Sequence, residues 1–548
     1  MTRARSHARV SLAVPVPEAI RKIWLPLLCA CIVTLLVTLP FVVAVAGAPD
    51  AAYFRGSLRP STDEADYLSA VRLGRTGAWL WTDQFSARPP APFLIYPTYL
   101  LAGHLGALFG LTTRTIFILT HPLAEVVLLL AIWRLAALYF SPRECRWVLV
   151  FALAMSGLYW LDALLAAAGS APVSLTRMGM QQLDGLSLGL ILSHEALGVA
   201  GEIMALTGLL CLVGAESVRA RGAAVAYGAC GTLLVGLTLP VVLALIVGVV
   251  LICAVWFALH TPATATPPGS RRWVLLAGVL LVLPAFPIAL YYHQLFSSNI
   301  WIHEQIVGGL QPMEGLLTWG LLLPLAIWGW WTAPAHLRPL VTVLAVWCCC
   351  AIVGTAINLW QSARMVTGIN IFIGFSFALG MLRPRLAPVW RVRALALIGL
   401  GGICQYLYLL TALSHGNRPS LYTTQPEEVV VRWLGSHATT HDVVLAPVLF
   451  SNVVPEASWA RVVAGEPDLG YDYDTRYPQV QTFFSPATPG ATRLRILRDT
   501  GATLVVYDPY FSYGLDKGNS DPGGLPALHR VYAYGGLHVY RVAHPSAP

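Results

Sequence analysis

The run IWLPLLCACIVTLLVTLPFVVAVAG fills residues 23–47 without one charged side chain. A helix needs only about 20 apolar residues to cross a hydrocarbon core about 30 Å thick, so this stretch is long enough to span. Arg21 and Lys22 stand directly before it, with Arg3, Arg5 and Arg9 further upstream. A basic flank holds its end of a membrane helix in the cytoplasm. The run is also longer than the apolar part of a cleaved signal peptide, so it reads as a retained signal anchor.

Ten further runs of this kind follow, at residues 113–139, 147–168, 190–214, 223–237, 241–259, 273–295, 316–331, 340–357, 365–381 and 394–413. Only 11% of the 548 residues are charged and 56% are hydrophobic, whereas soluble domains carry about 25% charged residues. A single water-soluble fold, a disordered chain and a disulfide-built secreted fold are thereby excluded. With eleven crossings, every strongly basic loop falls on the cytoplasmic side: SPRECR (141–146), ESVRARG (216–222), PPGSRR (267–272), the loop around Arg338, and RPRLAPVWRVR (383–393). The apolar stretch 93–110 contains Pro97 and His104 and is expected to lie along the outer interface; counting it as a span would invert all those loops. Residues 223–237 are short for a span and are open to a re-entrant reading. The expected location is the plasma membrane, the inner one in a bacterium.

The net charge of +8 is unevenly placed: residues 420–548 carry 12 acidic and 9 basic side chains, so the excess lies in the short membrane loops. That distribution sets orientation and does not make a nucleic-acid surface. All ten cysteines lie in or beside apolar segments without metal-ligand spacing. An odd number of crossings puts the C-terminal region outside. After a Pro/Gly/Ser linker at 414–424, QPEEVVVRWLGSHA (425–438) has helical periodicity. DVVLAPVLF (442–450), RVVAG (461–465) and TLVVYDP (503–509) read as strands, and VYAYGGLHVYRV (531–542) as a hairpin turning at Gly535-Gly536. A small extracytoplasmic α/β domain at 425–548 is expected.

Between the first two runs lies the polar loop 48–112, which contains RPSTDEADYLSAVRLGRTGAWLWTDQFSARPPAPFLIYP (59–97). Ser61 or Thr62 can cap a helix whose first turn holds Asp63, Glu64 and Asp66. On one reading these acids merely answer the positive end of the helix dipole. On the other, a carboxylate this close to the bilayer acts as general base toward an acceptor hydroxyl.

Asp63-Glu64-x-x-Tyr67, then Gly77-x-Trp79, then Arg88-Pro89-Pro90 before an aromatic helix resemble the first outer loop of membrane glycosyltransferases with the GT-C fold. The nearest branches are the family-39-like protein O-mannosyltransferases and the lipid A aminoarabinose transferases. The resemblance is specific over about 50 residues and general over the eleven-helix frame. It implies transfer of a sugar from a polyprenyl-phosphate donor to a glycan, lipid or protein acceptor on the outer face, with inversion at the anomeric carbon. It makes Asp63 the base with Glu64 as its understudy, and Tyr67 a substrate contact. Arg88, in the family's basic position, and Arg364, which breaks the positive-inside pattern in NLWQSARM (358–365), would meet the lipid phosphate. Asp66 departs from the pattern and stands either as a second acid at the substrate or as a solvated helix face. Metal dependence stays open, and no resident cofactor is implied.

Other charged residues are weaker candidates. Glu125 and Asp162 fall in or near spans. His194-Glu195 and His303-Glu304 are adjacent pairs whose side chains point apart on a helix. The D-x-D within Tyr471-Asp472-Tyr473-Asp474 reads as part of a turn. Two other functions fit the composition: a transporter or flippase of lipid-linked glycans, which would carry ionisable residues and repeated halves, and a non-catalytic scaffold.

Overall fold

The computed structural model describes residues 16–58, 63–157, 188, 190, 192–215, 217–260, 270–297, 315, 319–357, 362–383, 386–415, 421–467, 470–509 and 519–543. It is a polytopic helical membrane protein carrying a small α/β domain. The helices of the first half are α1 (Val16–Ala46), α2 (Asp63–Arg75), α3 (Pro97–Leu108), α4 (Thr113–Ala136), α5 (Pro142–Ala154), α6 (Ser193–Val213), α7 (Val218–Thr238) and α8 (Leu243–His260). Then come α9 (Ser270–Val282), α10 (Ala285–Phe296), α11 (Leu323–Thr332), α12 (Arg338–Ala356), α13 (Ile369–Met381) and α14 (Pro388–Ser414). Among the described residues, nine helical segments are long and apolar enough to cross a membrane. Of the eleven runs expected, 147–168 and 316–331 lie partly outside the described residues and are represented by the shorter α5 and α11.

Two ambiguous stretches take definite forms. Helix α7 has 21 residues, longer than the apolar run at 223–237, because it begins among Arg219 and Arg221. Long basic side chains tolerate a membrane edge by reaching for water, so the apolar count alone underestimates the helix. Within 93–110, α3 has only 12 residues, about 18 Å at 1.5 Å per residue and too short to span. It packs on α2 where both helices lack a side chain: a Cβ on Gly74 would stand 2.0 Å from the Leu100 carbonyl oxygen, and one on Gly103 would stand 2.1 Å from that of Val71.

The C-terminal domain adds α15 (Gln425–His437), α16 (Val448–Ala457), α17 (Tyr473–Phe484) and α18 (Gly490–Thr500). Helix α15 opens with a capping box, Thr424 and Glu427 each satisfying the other's backbone N–H. Outside the domain's main sheet, β1 (Ala52–Phe54) and β2 (Tyr422–Thr424) form an antiparallel pair. The main sheet is built from β3 (Val443–Leu445), β4 (Arg461–Val462), β5 (Leu504–Tyr507), β6 (Leu528–Tyr534) and β7 (Leu537–Val542), in the order β4-β3-β5-β7-β6. Strands β4, β3 and β5 are parallel, and β6–β7 is the hairpin turning at Gly535-Gly536, both with positive φ. The expected strand 442–450 is a strand only to Leu445; Pro447 caps the next segment and α16 follows.

Strand alternation sorts this domain onto two cores. Val444, Leu504, Val506 and Val539 join the apolar core that continues into the bundle, while Val443, Leu445, Val505 and Tyr540 join a second cluster across the sheet. Two main-chain seams fasten the domain to the first loop. One is the β1–β2 pair. The other extends the sheet edge: Val462 N–H donates to the Gln84 carbonyl at 2.8 Å, Gly465 N–H donates to that of Phe85 at 3.1 Å, and Ser86 bridges Ala464.

Candidate functional site

Helix α2 carries the acidic motif, and its two sides meet different surroundings. Asp63 is its first residue, where unsatisfied peptide N–H groups favour negative charge. One turn later on the same side comes Tyr67, whose ring stacks on Tyr99 (centroids 4.6 Å apart) and meets His194 edge-on at 5.2 Å. Tyr99 Oη and His194 Nδ1 share a hydrogen bond of 2.9 Å, and Ser193 Oγ donates to Tyr99 Oη at 3.4 Å. Thr120 Oγ1 donates in turn to Ser193 Oγ at 2.9 Å, so α3, α4 and α6 are tied together under Tyr67.

Of these groups, Tyr67, Tyr99 and His194 border a small open cleft, lined also by Asp63, Arg364, Tyr292 and residues 237–241, where α7 gives way to a 3₁₀ turn. Arg364 comes from a short 3₁₀ turn, Ser362–Val366, and its Nη1 stands 3.7 Å from the Oε1 of the buried Glu195. The cleft floor is irregular because α7 stops at Thr238 and Pro240 opens a new turn. An apolar groove leads away between helices, lined by Leu243, Val247, Val279, Phe286 and Ala289; it shares Pro240, Val241 and Tyr292 with the cleft.

Burial pushes the Tyr67 phenol well above its ordinary value, with Asp63, Tyr99 and Glu195 adding to the rise and Arg364 opposing it. Burial likewise raises Tyr99. Both phenols stay protonated at neutral pH and keep their O–H for a hydrogen bond.

Of the residues singled out by sequence, Asp63, Tyr67 and Arg364 line this one cleft. Glu64, Asp66 and Arg88 are not among the lining residues. Glu64 is buried on another side of α2, within the field of Arg55 and Arg114. Asp66 is only 1% exposed, so the solvated-face reading gives way: α3, α4 and α16 pack around α2 and leave its middle no face in water. Arg88 is exposed, and its backbone N–H donates to Ser86 Oγ at 3.0 Å. Gly77 takes φ +95°, which turns the chain so that the exposed Trp79 stacks on His104 of α3 at 4.0 Å.

Asp472, from the D-x-D, caps α17 with φ +98° and accepts from Ser86 Oγ at 2.9 Å and Arg476 Nε at 2.7 Å. Its Oδ1 thus fastens the first loop to the domain, while Oδ2 is engaged within α17. Among the described residues, no group of three His, Cys, Asp or Glu side chains is placed to hold a metal ion. Glu125 is buried within α4. Ser61, Thr62, Asp162, His303 and Glu304 lie outside the described residues.

Sequence reasoning undervalued His194-Glu195. The roughly 100° between helix neighbours does send them apart, but His194 reaches Tyr99 at the cleft and Glu195 reaches the cleft's arginine. Tyr99 and Tyr292 carried no sequence signal of their own in aromatic-rich apolar runs.

No protein-family model matches the chain, and no curated protein matches it. Solved structures do. The archaeal oligosaccharyltransferase AglB of Archaeoglobus fulgidus, in complex with an inhibitory peptide and a dolichol-phosphate, aligns with a TM-score of 0.55 at 13% identity over 96% of this chain and 75% of that one. ArnT of Cupriavidus metallidurans bound to undecaprenyl phosphate aligns at 0.52 and 15% identity, covering 96% of this chain and 98% of that one. The mycobacterial arabinofuranosyltransferase AftD aligns at 0.52 and 16% identity, over 94% of this chain and 41% of that longer one. The chain thus has the fold of the GT-C membrane glycosyltransferases.

Proposed function

We propose that this chain is a membrane glycosyltransferase that moves a sugar from a polyprenyl-phosphate donor to an acceptor hydroxyl at the outer face. The observation that carries the reading is the convergence of Asp63 and Arg364 on one cleft that continues into an apolar groove. A polyprenyl phosphate has the matching build, an anionic head on an apolar chain. Two proteins of the same fold hold such lipids, a dolichol-phosphate in one and undecaprenyl phosphate in the other.

In this mechanism Asp63 takes the proton from the acceptor hydroxyl as its oxygen attacks the anomeric carbon. The bond from that carbon to the phosphate oxygen breaks as the new C–O bond forms, with inversion, and the lipid phosphate leaves with the electron pair. Arg364, oriented by Glu195, stabilises the charge gathering on the phosphate. Tyr67, Tyr99 and His194 supply the polar wall between base and phosphate. Arg88, exposed on the same loop, is assigned to approaching headgroups. The C-terminal domain, fastened to the loop that carries Asp63, is assigned to the acceptor side.

The test is Asp63→Asn in membranes supplied with a polyprenyl-phosphate sugar. Loss of a general base is expected to slow transfer about 10²- to 10⁴-fold while undecaprenyl phosphate still binds. Transfer at the parent rate would remove the base and the mechanism with it.

A further inference from the structure

Helix α6 carries a second buried acid that the mechanism leaves unused. Glu202 is the tenth of the helix's 21 residues and is 0% exposed. A carboxylate halfway along a membrane helix is costly unless it is held. One of its oxygens is held: Trp347 Nε1, from α12, donates to Glu202 Oε2 at 2.5 Å. Its Oε1 has no hydrogen-bond partner among the described residues. The Trp347 ring in turn stacks on Phe372 of α13, with centroids 3.7 Å apart and planes 9° from parallel. A hydrogen bond and a stack thus join three helices at one level.

Glu195, Val199 and Glu202 recur at i, i+4 and i+7, so they lie along one face of α6. Each meets the part of the chain that runs from α12 into α13. Glu195 Oε1 stands 3.7 Å from Arg364 Nη1. Val199 packs on Gly368, whose φ is +74° and where an added Cβ would stand 2.8 Å from Val199 Cγ2. Glu202 meets Trp347 about 10 Å further along the helix than Glu195, at 1.5 Å per residue. The turn that presents Arg364 therefore bridges two helices whose stacked rings are tied to the same face of α6. Apolar packing alone fixes register poorly inside a bilayer, because lipid tails are as apolar as the side chains to be buried. A directed bond from one indole N–H to one oxygen is satisfied at only one height and rotation.

We infer that Glu202 is a positioning residue for the cation of the cleft: its hydrogen bond to Trp347 sets α6 against α12 and α13, and with them the place of Arg364 beside Glu195. The inference rests on the reading of Arg364 as a ligand of the lipid phosphate. It extends the machinery of the cleft to a residue that is not among its lining.

The experiment uses the full-length chain in membranes, titrated with undecaprenyl phosphate. Glu202→Leu removes the acceptor, and Trp347→Phe removes the donor while keeping a ring for Phe372. Each is expected to weaken binding about 3- to 30-fold. Glu202→Gln keeps an oxygen for the indole N–H and should bind within about threefold of the parent. Effects that run through one residue are not additive, so in an Arg364→Ala background Glu202→Leu should cost no more than about twofold. An equal loss in both backgrounds would make Glu202 a general support of the bundle and overturn the inference. So would parent-like binding by both Glu202→Leu and Trp347→Phe. A Glu202→Gln variant as weak as Glu202→Leu would overturn it too, since charge and not the hydrogen bond would then be responsible. Failure of the phosphate reading is separate: it appears as parent-like binding by Arg364→Ala, which failure of the inference alone leaves weak.

Discussion

Asp63 and Glu64 are neighbours in the chain, yet one borders the cleft and the other lies in the seam between bundle and C-terminal domain. At the cleft, a half-buried carboxylate has polar aromatic groups and an arginine as co-liners of an open space. In the seam, a buried carboxylate lies within the field of Arg55, Arg114 and Glu456. The lesson is that environment, and not residue type, distinguishes two adjacent carboxylates within a single turn of helix.

The largest expected effect breaks or upholds that division. Asp63→Asn should slow transfer about 10²- to 10⁴-fold, whereas Glu64→Gln should stay within about threefold of the parent kcat; equal losses in a transfer assay would erase the distinction. Next, the cleft side is sharpened by Arg364→Ala. A charged hydrogen bond contributes about 1.5–3 kcal/mol, so binding of undecaprenyl phosphate should weaken roughly 10- to 100-fold. Glu195→Gln should weaken it less, since the arginine remains; titration of both variants with the lipid distinguishes contact from support.

The seam is tested by pH. Burial lifts Glu64 to about 7 and also lifts Asp83 to about 7, although the backbone N–H groups of Tyr471 and Phe85 oppose the latter. Both acids therefore keep protons in the folded seam to higher pH than in an unfolded chain. Between about pH 4 and 7 the folded state binds more protons, so seam stability is highest on the acid side and falls as pH rises through 7. Glu64→Gln should flatten this dependence and stabilise the seam by on the order of 3 kcal/mol above pH 7, read by exchange or melting across pH. The groups facing Glu64 in this range are Arg55, Arg114 and Glu456. The smallest effect is expected at the domain's edge, where Thr424→Ala removes the α15 cap and should lower stability by about 1 kcal/mol without altering the cleft.

The seam also changes what domain removal would report. Val430, Leu434 and Phe450 belong to the same apolar core as the bundle residues. Deleting 425–548 would strip the cover from that core, so lost activity could not be ascribed to acceptor binding alone. Point changes in the seam leave that cover in place.

Much of the architecture was legible because its signals are local. Uninterrupted apolar runs give membrane helices, Thr424 with Glu427 gives a helix start, Gly535-Gly536 gives a hairpin, and alternation gives strands with two buried faces. The motif around Asp63 was legible as acidic and as helical. Its division into cleft and seam was not, because that depends on His194, Arg364 and Glu456, all more than 100 residues further along the chain. Nor could the chain show that residues 84–87 extend the edge of a sheet formed 374 or more residues later, or that Arg364 lines the cleft and Arg88 does not. Helix and strand follow from the spacing of side chains along one backbone; a site follows from packing distant segments, which leaves no period in the chain to read.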